Sequence, residues 1–405
     1  MRALIVIAFM SLSFSSWSQP VLTEVAQKVG VNHVAIMADS DMPAQGGAAW
    51  FDYDNNGYYD LYLTGGDVPD ALFRNNGNGT FTEVTAQAGF DVLDNVKTDG
   101  VTTGDINNDG FPEVFVTTFI TDPNHLFFNN GNGTFTDMIL WEGNQDTANS
   151  FSAVFGDLNM DGFLDLHVCN WSPTMEVIVE PGFTRVESQA NFYYQNNTDG
   201  SFTQMAEVYD IDDTSGCALG VLVTDFDNDN DPDLFVANDF GYFQGNTSNR
   251  LYRNDYPFNT LIDVSELTEA DTEMNGMGIA KGDIDEDGDL DYYITNMFND
   301  KLLRNDNGVF EEILVDAGMS NDSVWFQTLD MKGPKVGWGV GLFDVDNDMD
   351  VDCFTANGDL YYDYPNPCLD SNKLFLNEMA TGNFENVSYQ TGVADTYTSR
   401  ALAYC

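Results

Sequence analysis

The stretch Asp52-Tyr-Asp-Asn-Asn-Gly-Tyr-Tyr-Asp60 places oxygen-bearing side chains at its first, third, fifth and ninth positions. An apolar run comes directly before it, and the strand-like run Leu-Tyr-Leu comes directly after it. The same template recurs at separations of 53, 52, 68, 58 and 61 residues, which indicates a repeated structural unit rather than isolated acidic turns. The six copies begin at Asp52, Asp105, Asp157, Asp225, Asp283 and Asp344.

The chemistry of these loops predicts a bound metal ion. Several hard oxygen ligands with no Cys or His among them select calcium over zinc or copper. Position six is Gly in four loops, which suits a tight turn with positive φ, whereas loops four and six carry Asn230 and Met349 there. Met disfavours the left-handed region, so loop six is the weakest match. An EF-hand is excluded because position twelve is never Glu and lies in a strand-like run.

We therefore predict about six calcium sites, one in each acidic loop. The predicted ligands are the side chains at positions one, three, five and nine, together with the backbone carbonyl at position seven. In loops one to three they are Asp52, Asp54, Asn56, Tyr58, Asp60; Asp105, Asn107, Asp109, Phe111, Glu113; and Asp157, Asn159, Asp161, Phe163, Asp165. In loops four to six they are Asp225, Asp227, Asp229, Asp231, Asp233; Asp283, Asp285, Asp287, Asp289, Asp291; and Asp344, Asp346, Asp348, Asp350, Asp352.

A second repeated element follows each loop and reads ALFRNNGNGTFTEV from Ala71 in its first copy. Apolar and polar residues alternate, an Asn/Gly turn intervenes, and a Phe- or Leu-led run returns, which is the pattern of a β-hairpin. Each unit therefore has four strands: one before the acidic loop, one after it, and the hairpin pair. Such units repeated every 50 to 70 residues predict an all-β fold, a β-propeller with one four-stranded blade per unit.

The two ends of the chain carry pieces of the same repeat. Residues 20–32 are similar to the end of blade one and predict a closing strand, and residues 394–405 align with the start of that blade. We therefore expect a seven-bladed ring whose seventh blade is truncated in this chain, with a six-bladed ring and a frayed tail as the alternative. The six predicted blades span about residues 46–97, 98–150, 151–215, 216–275, 276–335 and 336–393.

The acidic loop and the hairpin together resemble FG-GAP (VCBS) repeats, the family found in integrin α-subunit propellers. The hairpin style NNGNGTFTEVTAQAGF is most similar to bacterial VCBS-repeat proteins and to the cartilage acidic protein family. The resemblance covers nearly all of the chain after residue 20. It implies a β-propeller in which the four loop ligands of each blade bind calcium between the first and second strands.

Residues 1–19 are typical of a secretory signal peptide, with a short basic start, an apolar core of about a dozen residues and small residues near a cut around Ser18 or Gln19. The core is too short to span a bilayer well, and no later stretch is apolar enough to do so. We therefore expect a soluble, exported protein that is secreted, or periplasmic or at the outer surface if the source is bacterial.

The formal charge is −52, from 14 basic and 66 acidic residues, and six bound calcium ions would bring it to about −40. Such a surface repels nucleic acid and anionic membranes, so neither is an expected partner. Five cysteines are too few for a disulfide scaffold. Cys353 with Cys368 and Cys169 with Cys217 could form bridges that leave Cys405 over, and buried free thiols are the alternative.

The connections between the strands of a four-stranded blade lie on two opposite faces of the ring. The acidic loops and the hairpin turns share one face, and the long insertions at 171–190, 238–249, 318–335 and 357–372 fall on the other. Aromatic side chains on such insertions suit recognition of an extracellular protein or a glycan, and packing onto the rim of the ring is the alternative. The candidate partner-binding residues are Trp171, Tyr242, Phe243, Trp325, Tyr361, Tyr362 and Tyr364.

Catalytic motifs are missing from the sequence: there is no G-x-S-x-G elbow, no H-E-x-x-H and no phosphate-binding glycine loop, and the chain has only three histidines. No catalytic residue is assigned, although an acid pair for glycoside chemistry stays open because Asp and Glu are abundant. The favoured interpretation is a secreted adhesion or recognition module in which calcium is structural. The alternatives are a carbohydrate-active enzyme with an acidic cleft on the insertion face, and a scaffold domain of a larger secreted protein.

Overall fold

Six sheets of four antiparallel strands form the blades of a propeller, which confirms the predicted all-β fold. In every sheet the strand order follows the chain from the innermost to the outermost strand. No helix among the described residues is long and apolar enough to cross a membrane. The computed structural model describes residues 20–36, 46–119, 122–138, 148–174, 177–180, 183–243, 245–257, 260–319, 324–326, 331–333, 336–358, 371–378, 381–394 and 399–405.

The strands of each blade alternate in direction, and long insertions separate the second and third strands of blades three, four and six. Blades one and two contain β1 (Ala48–Phe51), β2 (Asp60–Leu63), β3 (Ala71–Asn75), β4 (Phe81–Glu83), β5 (Thr98–Gly104), β6 (Glu113–Thr118), β7 (His125–Asn129) and β8 (Phe135–Met138). Blade three contains β9 (Ser150–Gly156), β10 (Asp165–Asn170), β13 (Phe192–Asn196) and β14 (Phe202–Gln204), with the hairpin β11 (Val177–Glu180) and β12 (Phe183–Val186) inserted after β10. Blade four contains β15 (Ala218–Thr224), β16 (Asp233–Asn238), β17 (Arg250–Asn254) and β18 (Leu261–Asp263).

Blades five and six follow the same plan. Blade five contains β19 (Gly276–Gly282), β20 (Asp291–Asn296), β21 (Lys301–Asp306) and β22 (Val309–Glu312), followed by the separate hairpin β23 (Val324–Phe326) and β24 (Met331–Gly333). Blade six contains β25 (Gly337–Phe343), β26 (Asp352–Asn357), β27 (Lys373–Asn377) and β28 (Phe384–Asn386). The two hairpins lie in insertions that the sequence analysis treated as irregular.

Helical turns follow several of the fourth strands, and the sequence analysis missed them because four residues are too few to show a helical period. Each turn ends on a residue with positive φ, which is Gly in three of the five turns. In blade one the turn leads into a 3-10 helix at Phe90–Leu93, whose Phe90 packs between blades one and two. The turns are α1 (Ala26–Val29), α2 (Thr85–Ala88), α3 (Ala206–Tyr209), α4 (Ser265–Thr268) and α5 (Ser388–Thr391).

The inner strands meet side by side in chain order around a central channel of about 260 Å³. Small residues allow this approach. A Cβ atom on Gly100, Gly220 or Gly278 would lie 2.1–2.2 Å from a carbonyl oxygen of the next blade. The blades are therefore joined almost backbone to backbone at the centre of the ring.

Both ends of the described chain lie between blade six and blade one. The Gly339 N–H donates to the Arg400 carbonyl oxygen at 2.8 Å, and residues 400–402 line the channel beside the inner strands. At the other end, residues 20–25 form no strand, but the Leu22 N–H donates to the Thr391 carbonyl at 2.9 Å. The helical turn that follows packs Ala26 against blade one, so this segment connects the two blades.

Cys169 and Cys217 are buried free thiols, so the bridge considered between them does not form. Burial raises the pKa of Cys169 to about 12, which keeps this thiol protonated and unreactive at neutral pH. Cys353 is also a buried free thiol, and Cys368, the partner considered for it, lies outside the described residues.

Candidate metal sites and the opposite face

The first aspartate of every acidic loop closes the loop on itself. In loop one, Asp52 Oδ1 accepts the N–H of Asn56 at 2.9 Å and Oδ2 accepts the N–H of Gly57 at 2.7 Å. The same pair of bonds forms in the five other loops, between positions one, five and six. One carboxylate therefore fixes the turn, and its charge faces backbone donors rather than solvent.

The fifth side chain fixes the second half of the loop by accepting the N–H at position seven in all six copies. Two residues adopt the left-handed conformation as a result. The one at position six was expected, with φ from 72° to 96°, whereas the one at position four was not, with φ from 54° to 61°. Position four is Asn in four loops, Met160 in loop three and Glu286 in loop five.

Loop six closes like the others although Met349 occupies the left-handed position, with φ 80°. Because this side chain is 83% exposed, it contributes little packing that would offset the strain. Met349→Gly is therefore expected to raise the free energy of unfolding by about 0.5–1 kcal/mol, measured by thermal or urea unfolding. Gly110→Ala at the same position of loop two is the control, and it should lower the stability by a similar amount. A loss of stability on Met349→Gly would contradict the strain.

The ninth carboxylate is buried beneath the loop and ties it to the rest of the blade. Asp60 is 0% exposed, and it accepts the N–H of Tyr53 at 3.1 Å and of Asn75 at 2.6 Å. Burial raises the pKa of Asp60 to about 7 and that of Asp233 in loop four to about 8, although backbone N–H donors oppose the shift. A bound cation would restore the charged form of such groups.

The third carboxylate has an oxygen that lacks a donor. Its Oδ1 atom is buried without a hydrogen-bond partner in each of the four loops with Asp at this position, which are Asp54, Asp227, Asp285 and Asp346. In the same four loops, three carboxylate oxygens lie within 4.8 Å of one another. Converging carboxylates with an unsatisfied oxygen are unfavourable without a positive charge between them, so the donor set fits a hard cation such as calcium.

Loops two and three carry an amide at the third position. Asn107 and Asn159 supply a carbonyl oxygen there, which is also a suitable ligand for calcium. At position seven the side chains of Asp231 and Asp289 accept the backbone N–H of Tyr256 and of Asn307, respectively. Only the backbone carbonyl at position seven is thus expected to contribute, as the sequence analysis proposed.

Neighbouring loops are bonded to one another, a feature that the sequence analysis missed. The asparagine near the end of the third strand donates its side-chain N–H to the position-two carbonyl of the preceding blade's loop. The bonds are Asn129 to Tyr53 at 2.8 Å, Asn196 to Ile106 at 2.9 Å, and Asn254 to Leu158, Asn305 to Phe226 and Asn377 to Ile284, each at 2.7 Å. The signal was present, because every repeat has Asn at this place, but it was interpreted as part of the hairpin turn.

The model of the family described as FG-GAP-like repeat matches residues 52–116, 105–168, 177–236 and 225–294, which together make up more than half of the chain. The chain belongs to this family. Three of the matched FG-GAP segments begin at one acidic loop and run through the next, and the segment 177–236 contains one acidic loop. All four segments end in the second strand of a blade. The resemblance seen in the sequence is thereby confirmed.

This FG-GAP chain is 27% identical over 285 residues to cartilage acidic protein 1 of Mus musculus and 26% identical over 285 residues to that of Homo sapiens. Each alignment takes in 64% of this chain but only 41% and 40% of the relative. The chain thus spans about two fifths of the length of these relatives. Among solved structures, a lectin of Agrocybe aegerita, described as recognising non-reducing terminal N-acetylglucosamine, has a TM-score of 0.50 and 14% identity. That comparison covers 90% of this chain and 84% of the lectin, and it shows a likeness of fold alone.

On the opposite face of the FG-GAP propeller, one insertion aromatic is buried. Trp171 is 5% exposed and packs against Phe151 and Phe240, and its indole N–H donates to Asp239 at 3.1 Å. Phe243 packs edge-on against Phe240 in the same cluster. These contacts support the rim-packing interpretation for Trp171.

Tyr242 is the candidate residue that is open to solvent on this face. It is 47% exposed, and its hydroxyl accepts the Asn296 side-chain N–H at 3.3 Å. The remaining candidates, which are Trp325, Tyr361, Tyr362 and Tyr364, have side chains outside the described residues. Tyr242 therefore marks the described part of the candidate partner surface.

The three histidines are dispersed and do not form one site. His33 Nε2 lies 3.1 Å from the Thr64 carbonyl oxygen, and His125 Nδ1 lies 2.9 Å from a carboxylate oxygen of Asp137. His167 is fully buried in β10, and burial lowers its pKa to about 3, so it is uncharged at neutral pH. Their separate positions and contacts favour a structural role for each histidine.

Proposed function

We propose that this chain is an exported, calcium-stabilised propeller that binds a protein or a glycan through the face opposite the acidic loops. The observation that carries the calcium part is the buried oxygen without a donor at the third position of four loops. A divalent cation satisfies that oxygen and neutralises the carboxylates that converge beside it. The signal-peptide pattern of residues 1–19 supports export.

In this proposal the chain's own residues already hold each loop in a closed shape. Backbone N–H groups orient the first and fifth side chains. In four loops, oxygens of the first and third carboxylates lie within 4.8 Å of an oxygen of the fifth or the ninth carboxylate. The sites would use the side chains at positions one, three, five and nine and the carbonyl at position seven. Because ligands from two strands of one blade meet in each loop, bound calcium would stiffen the blade.

The recognition part of the proposal rests on the two faces of the ring. The loop face is occupied by acidic turns, whereas the opposite face carries long insertions and the half-exposed Tyr242. Tyrosine offers a flat apolar ring and a hydroxyl, a combination that suits both sugar stacking and protein contacts. Because a solved lectin has a similar fold, we include glycans among the partner classes to be tested.

The test is a binding screen of the purified chain in millimolar calcium against a glycan array and a panel of extracellular matrix proteins. Tyr242→Ala should weaken any specific partner at least tenfold, as truncation of a central aromatic contact does. Tyr59→Ala is the matched control, because Tyr59 is 57% exposed but lies in an acidic loop. If Tyr242→Ala and Tyr59→Ala bind the partner equally well, or lose binding to the same extent, the assignment of the binding site to the face opposite the acidic loops is wrong.

A further inference from the structure

The residue directly before the third-strand asparagine differs in charge between blades. It is Arg in blades one, four and five (Arg74, Arg253, Arg304), neutral in blades two and three (Phe128, Gln195), and Leu376 in blade six. We refer to it as the gate residue. This variation follows the chemistry of the acidic loop in the same blade.

In blade one the gate residue contacts the loop directly. Arg74 Nε lies 2.6 Å from Asp54 Oδ2, while Oδ1 of the same carboxylate is the buried oxygen without a donor. Part of the Asp54 charge is thus neutralised by the protein itself, and one oxygen is left for an ion.

In blades four and five the gate arginine pairs with a carboxylate outside the acidic loop. Arg253 pairs with Asp255 at 3.0 Å. Arg304 pairs with Glu311. Both partners belong to the hairpin that follows the acidic loop in the same blade.

The remaining loops separate into two kinds. Loops two and three have Asn107 and Asn159 at the third position, so a neutral gate residue leaves no third carboxylate uncompensated. Loop six differs from all others because it combines Asp346 with the neutral gate residue Leu376. Like loops four and five, it has aspartate at all five ligand positions. No gate arginine therefore offsets the repulsion between the aspartate carboxylates of loop six.

We infer that the gate arginine of blade one, Arg74, is a built-in counter-ion that keeps loop one closed without calcium and weakens calcium binding there, so that loop six depends more strongly on calcium than loop one. The inference rests on the proposed calcium binding. Arg is suited to this role because its charge is permanent and its planar group can bind one carboxylate oxygen while leaving the other free. Competition between the guanidinium and the ion for one carboxylate links the two effects.

The test is hydrogen exchange of the loop amides in calcium and in excess chelator. The N–H groups of Asp348 and Met349 report on loop six, and those of Asn56 and Gly57 report on loop one. In the wild-type chain, chelation should accelerate exchange in loop six about tenfold more than in loop one.

Exchanging the gate residues should exchange this behaviour. In chelator, Leu376→Arg should slow the exchange of the loop six amides by about tenfold. Arg74→Gln should speed the exchange of the loop one amides by a similar factor. Leu376→Gln is the control for Leu376→Arg, because it places the polar, uncharged residue of blade three at the same position. It also controls for lost packing, since Leu376 packs against the blade six core.

Two failures can be told apart. If calcium changes neither the exchange nor the stability of any loop, calcium binding itself is wrong and the inference fails with it. If calcium protects the loops but Leu376→Arg behaves like Leu376→Gln, or Arg74→Gln like the wild type, the gate residue has no such role and only this inference is overturned.

Discussion

Removal of calcium with excess chelator is expected to lower the unfolding midpoint of the purified chain by about 10–20 °C. Extracellular calcium modules have dissociation constants of about 10⁻⁴–10⁻³ M, so a tenfold excess of free calcium stabilises each site by about 1.4 kcal/mol. Six sites would then contribute about 8 kcal/mol, a large part of the stability of a domain of this size. The measurement is a thermal melt in calcium and in chelator, with circular dichroism to show that the chain is folded in calcium.

Magnesium at the same concentration is the control for ionic strength and nonspecific screening. It should restore much less of the midpoint, because it requires near-octahedral geometry and keeps several of its waters. Equal midpoints in calcium and chelator would contradict the proposed sites, and so would full restoration by magnesium or by salt alone.

Gly278→Ala is expected to lower the free energy of unfolding by about 3 kcal/mol or more, or to prevent folding. The added Cβ atom would lie 2.1 Å from the Trp338 carbonyl oxygen of blade six, and backbone atoms cannot be displaced as cheaply as a side-chain tip. The space cannot open easily, because the Thr295 hydroxyl donates to that carbonyl at 2.6 Å and accepts the Gly278 N–H at 2.8 Å. The loss should be visible in urea unfolding as a lower midpoint.

The equivalent position of blade three provides the matched control. Ser152 already carries a Cβ atom there, so Ser152→Ala should change the stability by less than about 1 kcal/mol. If Gly278→Ala is tolerated as well as Ser152→Ala, the inner strands are not held as closely as the structure indicates.

The four strands of each blade could be predicted from the sequence because the same pattern is repeated six times. The acidic template fixes the loop between the first and second strands, and the Asn/Gly turn fixes the hairpin, so each strand has a local marker. The loops themselves close through bonds between side chain and backbone within nine residues, which is why Asp52 and Asp60 could be assigned correctly to one loop. Even Met349 does not prevent this closure.

Other features could not be predicted because they depend on contacts between distant residues. The bond from Asn129 to Tyr53 crosses 76 positions, and nothing near either residue distinguishes it from a turn. The burial of Trp171 depends on Phe240 from another blade. The gate residues were visible in the sequence, but their meaning required the distance from Arg74 to Asp54. Composition indicates aromatic insertions, and only the folded ring shows which of them face solvent.

The repeated asparagine bond has a consequence for how such proteins change their length over time. All five joints between the six blades use the same donor and the same acceptor position. Each repeat therefore supplies the asparagine donor for one neighbour and the carbonyl acceptor for the other. Duplication or deletion of one whole repeat in the gene leaves every such hydrogen bond with both of its partners. Substitution of one of these asparagines, in contrast, leaves the backbone carbonyl of the neighbouring loop without its donor. Recombination between repeats is thus the easier path to new propellers of this kind, and point mutation is left to vary the insertions.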